Sequence, residues 1–183
     1  MEGQWANKTG NLISLSEQNI VDCAGPFGNI GCLGGYPASA MEYVHFNGGI
    51  DTEIEYPYVA KDQKCNYNPK NSGVVVQGVV NITNQDCDGL FHAVGTIGPI
   101  SICIDASEFQ FYSGGIYSST SCSKIVLDHA VLLVGYSSSP DGQNYYILKN
   151  SWGTTWGIEG YMYFSRDIPN MCGICEKASF PLV

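Results

Sequence analysis

The sequence predicts an α+β fold in which a helical, loop-rich first half precedes a β-rich second half. Three observations predict it. Capped helical patterns sit early, in "SLSEQNIVDC" and "YPASAMEYVHFNGG". After Asn71-Ser72-Gly73 short apolar runs dominate, namely "VVVQGVV", "ISICI", "AVLLVGY", "YYILKN" and "GYMYF". A hydrophobic content of 44% over 183 residues is enough for a packed core. The change of texture puts a boundary near residue 80, with a helical domain over 1–80 and a β-rich domain over 81–183.

In chain order, Ser14 and Glu17 read as a capping box ahead of a short helix over Leu15–Asp22, the serine oxygen taking a free N–H while the glutamate reaches back. Pro37 suits a first helical turn, Ala38, Met41 and Val44 recur at helical spacing, and Gly48-Gly49 supplies the stop. Asp86–Thr96 is the one helix-like stretch of the second half. No repeat and no low-complexity linker interrupts the chain, so the two halves are expected to pack directly on each other.

Eight Lys plus Arg against seventeen Asp plus Glu give a formal charge of −9. That balance argues against a nucleic-acid or anionic-membrane partner. No apolar run approaches the roughly 18–20 residues of a membrane span. Eight cysteines suggest disulfides and an oxidising compartment, and the triplets Asn7-Lys8-Thr9 and Asn81-Ile82-Thr83 are glycosylation sequons that fit such a route. "MEGQWANKTG" has neither the charged nor the apolar region of a signal peptide.

The chemistry points to residues 127–151. Ala130–Tyr136 and Tyr145–Asn150 flank the polar turn "SSSPDGQN" and read as an antiparallel hairpin. If Gly135 faces Tyr145, His129 falls opposite about Asn150 or Ser151, within a residue or two, and opposed Cβ atoms lie about 4.5–5.5 Å apart. An imidazole held by an amide oxygen has its tautomer fixed and its other nitrogen aimed at a nucleophile. Trp152 and Trp156 in "NSWGTTWGIEGY" add an aromatic cover that keeps water from that bond. Asp128 precedes His129 on a strand and points to the opposite face, so it reads as rim rather than as a catalytic acid.

"SLSEQNIVDC", "GCLGGYPASAMEYV", "LDHAVLLVGY" and "KNSWGTTWGIEGYM" resemble, in order and across essentially the whole chain, the papain-like cysteine peptidases of the cathepsin L-like branch. The resemblance implies a helical domain and an antiparallel, β-barrel-like domain facing each other across a cleft, and peptide hydrolysis by a Cys thiolate. In that scheme His129 is the general base and acid, Asn150 its orienter and Trp152 the shield. An imidazolium lowers the cysteine pKa well below about 8.5 and then protonates the leaving amine. No cofactor or metal is implied. Polypeptide substrates or inhibitory propeptide-like segments are the expected partners of a monomer, working in a lysosome or outside the cell.

The family nucleophile lies in a Q-x-x-x-C-G-S-C-W-type motif, which these residues do not contain. The expectation is therefore a fragment with its true start upstream, inactive as written, the cut leaving a stable isolated fold in doubt. By resemblance Cys23 pairs with Cys65 and Cys122 with Cys172, while Cys32 is left an orphan. Cys87 falls in the helix-like stretch, and Cys103 in "ISICI" reads as a small core residue. Cys172-Gly-Ile-Cys175 has the spacing of a redox or metal pair, but lacks the surroundings of either. Gly34, Gly35, Tyr36 and Pro37 would line the substrate side of the cleft, with backbone groups near the glycines pairing with an extended peptide. Lys177 would stand near the floor of the pocket for the second residue before the cut and favour an acidic or polar side chain, or else be a solvated surface lysine. Two alternatives stay open: a non-catalytic peptide-binding pseudo-peptidase and, last, a redox or metal protein built on the C-x-x-C.

Overall fold

The computed structural model describes all 183 residues. It divides into two compact units, residues 1–80 with 180–183, and residues 81–179.

In the first unit three helices pack around a small apolar core. The helices are α1 (Glu2–Thr9), α2 (Glu17–Cys23) and α3 (Pro37–Asn47). Strand β1 (Ile50–Asp51) pairs antiparallel with β2 (Ser72–Val74). Leu15, Cys23, Ala24, Tyr43, Val44, Ile50, Val74 and Val76 form the buried cluster. The capping serine of α2 is Ser16, not Ser14: the Ser16 hydroxyl accepts the Asn19 N–H at 2.9 Å. Leu15 is drawn into a bridge with Thr52, and the Ser14 carbonyl accepts the Glu53 N–H, so tertiary pairing holds Ser14 and Leu15 outside the helix. Helix α3 has Pro37 in its first turn and ends at Gly48 with φ of 80°, a conformation glycine adopts without strain.

The second unit carries α4 (Cys87–Thr96), capped by Asp86 accepting the Gly89 N–H at 2.8 Å. Its strands are β4 (Ile100–Ile104), β5 (Ile116–Tyr117), β6 (His129–Ser138), β7 (Asn144–Lys149) and β8 (Tyr161–Ser165). Two further strands, β3 (Gly78–Ile82) and β9 (Lys177–Leu182), cross the boundary between the units. The sheet order is β3-β9-β4-β6-β7-β8-β5, with β5 parallel to β8 and the other specified pairings antiparallel. The sheet is open, so the barrel-like expectation holds only as a mostly antiparallel layer; β3 and β5 remain its edges. Alternation packs the core: Ile100, Ile102 and Ile104 are completely buried, as are Leu133 and Phe164.

Three strands escape the sequence pattern, β1 and β5 because each is two residues long and β9 because Pro181 and Lys177 disguise it. "VVVQGVV" is not one strand, since β2 and β3 belong to different sheets.

Candidate active site

Strand β6 opens at His129, which faces Ile104 across the β4–β6 ladder, while Ala130 faces Cys103 and Cys103 faces Lys177. Opposed residues share a face and neighbours alternate. His129 therefore leaves the sheet with Ile104, and Ala130, Cys103 and Lys177 occupy the other side.

The loop before His129 is pinned at several points. The Cys122–Cys172 disulfide anchors its start. Asp105 accepts the Ser123 N–H through Oδ2 at 2.6 Å and the Ser107 N–H through Oδ1 at 3.0 Å. Burial pushes the Asp105 carboxyl up, but these backbone donors outweigh it and hold the pKa below the ordinary value of 3.8. Ser123 Oγ accepts the amides of Ile125 and Val126 at 3.1 and 2.8 Å. Asp128 Oδ1 accepts the Ala106 N–H at 2.8 Å, which gives this carboxylate a bracing role on the chain's own backbone. Gly173 passes so close that a Cβ would stand 2.5 Å from Leu127 and 2.9 Å from the Lys124 carbonyl.

Asn150 follows the last residue of β7 and is held by its N–H to the Gly160 carbonyl at 2.9 Å. Its Oδ1 lies 2.8 Å from His129 Nε2 and also accepts the Ser151 N–H at 2.8 Å. An atom that accepts a backbone N–H is the amide oxygen, so the imidazole must donate from Nε2. Nδ1 makes no hydrogen bond within the chain and is the ring's free basic nitrogen. Asn150 Nδ2 is buried without a partner.

The indole of Trp152 lies 5.0 Å from the imidazole, ring centre to ring centre, tilted by 32°. Trp156 meets Trp152 edge-on at 5.3 Å and is itself fixed by donating Nε1–H to the Phe109 carbonyl at 2.9 Å. Tyr112 backs Trp156 at 5.6 Å. The aromatic cover is thus a buttressed stack on the histidine.

Six of the eight cysteines are bridged, Cys23 to Cys65, Cys87 to Cys175 and Cys122 to Cys172. The two members of the C-x-x-C therefore belong to different bridges, which removes the redox or metal pair. Cys87 is bonded rather than a free helix residue; its position beside Asp86 at the start of α4 brings it to Cys175. Cys103 is buried and free, and burial pushes its thiol up while Lys177 opposes. Cys32 is exposed and free, and desolvation together with the Asp62 carboxylate pushes its thiol up. Both thiols are thus pushed up, away from the thiolate form that a nucleophile needs.

In the first unit, Gly34 to Tyr36 form an exposed turn ahead of Pro37. Gly34 has φ of 120°, and a Cβ on Gly35 would fall 1.9 Å from Asn29 Oδ1. Buried Asn29 accepts the Tyr36 N–H at 3.0 Å and donates to the Ala24 carbonyl at 3.3 Å, so it shapes this turn. The N–H and C=O of Gly35 enter no hydrogen bond of the chain. Lys177 is exposed at the start of β9.

Sequence reasoning missed Asp105 and the Cys87–Cys175 bridge. A carboxylate directly after the strand "ISICI", ahead of a serine two residues on, is the signal for an Asx turn that could have marked Asp105.

The sequence matches the model of the papain family cysteine protease over residues 1–182. It is 52% identical to a cathepsin L-like peptidase of Aedes aegypti over 185 aligned residues, covering all of this chain and 55% of that protein. It is 48% identical to human cathepsin L2, covering all of this chain and 56% of that protein. The chain thus spans just over half the length of these relatives. The fold superposes on digestive procathepsin L 3 of the Tenebrio molitor larval midgut with a TM-score of 0.95 at 45% identity, covering all of this chain and 60% of that one. It superposes on the bromelain protease of Ananas comosus, solved with the E64 inhibitor, with a TM-score of 0.91 at 33% identity, covering all of this chain and 84% of that one. On a match that runs from the first helix to the last strand, the chain belongs to the papain family of cysteine proteases.

Proposed function

We propose that these residues supply the proton-transfer half of a cysteine endopeptidase. His129 is the general base and acid, Asn150 orients it, and Trp152 keeps water from their bond. The observation that supports this best is the 2.8 Å contact from His129 Nε2 to Asn150 Oδ1, which leaves Nδ1 free to take a thiol proton and return it to a leaving amine. A neutral amide orients the ring without adding charge. The sulfur it serves is none of the eight cysteines in this sequence, and the 183-residue chain by itself does not hydrolyse peptides.

An extended peptide pairs with the unused backbone groups of Gly35, beside Tyr36 and Pro37. Lys177 pairs with Cys103, and Cys103 with Ala130, the strand residue next to His129; Lys177 favours an acidic side chain at the second substrate position before the cut. An inhibitory propeptide-like segment is the other expected partner, a reading supported by the procathepsin L 3 of Tenebrio molitor among the similar structures. Three disulfides fit an oxidising lysosomal or extracellular setting.

The test is a pair of measurements on fluorogenic peptides and a thiol-directed epoxide. A chain extended at its N-terminus by a segment of the Q-x-x-x-C-G-S-C-W type should hydrolyse peptides and lose that activity with His129→Ala, whereas the 183-residue chain should do neither. His129-dependent labelling of Cys32 or Cys103 in the 183-residue chain would overturn the assignment.

A further inference from the structure

A second site lies in the β-rich unit, around Arg166. A cavity of about 340 Å³ opens there, its walls including Phe91, Tyr146, Ile168 and Ile174 and one side of the Cys87–Cys175 bridge. Neither His129 nor Asn150 lines it. Half-buried Arg166 places its guanidinium 4.1 Å from the centre of the Phe91 ring and 5.4 Å from those of Tyr136 and Tyr146. Ring faces hold the cation but do not satisfy its N–H groups, which lie in the guanidinium plane. The Arg166 side chain makes no hydrogen bond or ion pair within the chain; only its backbone N–H is bonded, to the Asn144 carbonyl at 2.8 Å. Asp88, in the first turn of α4, lines the same cavity without pairing with Arg166. Burial raises the Tyr146 phenol, Arg166 opposes the shift and Asp88 adds to it, so both charges are felt at the same wall.

An unpaired cation, a separate anion and an apolar wall share one small cavity. A plain anion would meet Asp88 and the overall charge of −9. A zwitterion meets neither obstacle, and the volume is near the lower end for small-molecule pockets, about 300–1,000 Å³. We infer that this cavity binds a free amino acid or dipeptide with a large apolar side chain, its carboxylate on Arg166, its ammonium on Asp88 and its side chain against Phe91 and Tyr146. The inference does not rest on the proposed peptidase reading, although such molecules are what peptide hydrolysis releases.

L-Phenylalanine is the probe, titrated into the 183-residue chain and followed by the Arg166 Nε–H and the backbone amides of residues 88–91 in NMR spectra. Saturable shifts are expected in the millimolar range, with N-acetylphenylalanine and phenylalaninamide each about tenfold weaker, the loss of one charge-assisted contact. Arg166→Met should weaken L-phenylalanine about tenfold or more, and Asp88→Asn should abolish the preference for the free amine over its acetylated form. Arg166→Lys, which keeps the charge but loses the planar fork, gives a second reading if the Met variant does not fold, and should also weaken binding. No saturable shift up to about 20 mM, equal binding of the acetylated form, or binding unchanged in both Arg166 variants would overturn the inference.

Discussion

His129 donates from Nε2 to Asn150 Oδ1 across 2.8 Å although the two residues do not face each other in the β6–β7 ladder, whose last pair at that end is Leu132 with Lys149. The turn sets Gly135 against Ile147, two residues beyond the expected Tyr145, and the bulge between Leu133 and Gly135 takes one of those two residues back. The amide reaches the ring because Asn150 leaves β7 and is turned by its bond to Gly160. Asn150→Ala removes the only acceptor that fixes the ring, and the Nε2–H tautomer, dominant in the parent chain, should give way to a mixture. Long-range ¹H–¹⁵N spectra of the neutral imidazole read this directly. An unchanged tautomer in the variant would show that Asn150 does not orient the ring.

Asp105 holds two backbone N–H groups with two oxygens, and an asparagine has one oxygen to offer. Asp105→Asn therefore leaves the Ser107 or the Ser123 amide facing an NH₂ group, at a cost of about 1–3 kcal/mol. The sign with pH follows from a carboxyl held below its ordinary value of 3.8. Its contribution is present above that value and is lost as pH falls through the lower folded pKa. The stability gap between parent and variant should therefore persist at pH 5 and narrow only below about pH 4. Urea unfolding at a series of pH values measures it.

Legibility in the sequence tracked the range of the physics. Pro37 and Gly48 bracket α3 in the expected places because first-turn prolines and left-handed glycines act locally. Ser14 did not cap α2, because whether a serine caps depends on where the chain enters the helix, and the Leu15–Thr52 bridge decides that. The His129–Asn150 meeting was readable to within a register error of one residue at that end, two set by the turn less one taken back at the bulge. Nothing local marks Cys87 as the partner of Cys175, since 88 residues separate them and the bridge depends on how α4 lies. The cavity at Arg166 was invisible for the same reason, its aromatic neighbours coming from α4, β6 and β7.

Adjacent glycines should respond differently to alanine. Gly35→Ala drives a methyl to 1.9 Å from Asn29 Oδ1 and must break the Tyr36–Asn29 bond, whereas Gly34→Ala meets no atom within 4 Å but has to adopt φ of 120°. Each should cost about 1–3 kcal/mol, the first by displacement and the second by backbone strain. Gly25, with open space around it and no positive φ, is the control and should tolerate alanine within about 0.5 kcal/mol. Chemical denaturation should set both variants apart from the Gly25 control, and a Gly35→Ala chain as stable as that control would show that Asn29 does not fix the turn.

The Cys87–Cys175 bridge closes the longest loop of the three, with a sequence separation of 88 against 42 and 50. Loop closure of that length limits the unfolded chain by about 4–5 kcal/mol in the entropic account, and native bridges typically deliver about 2–4. Replacing both cysteines by serine should therefore destabilise the β-rich unit by an amount in that range and free the first turn of α4, which also walls the Arg166 cavity. Peptide mapping under non-reducing conditions should find Cys87 joined to Cys175 and Cys122 to Cys172. A Cys172–Cys175 fragment would contradict the fold at the turn that braces the approach to His129, because Cys172 would then be unavailable to anchor Cys122.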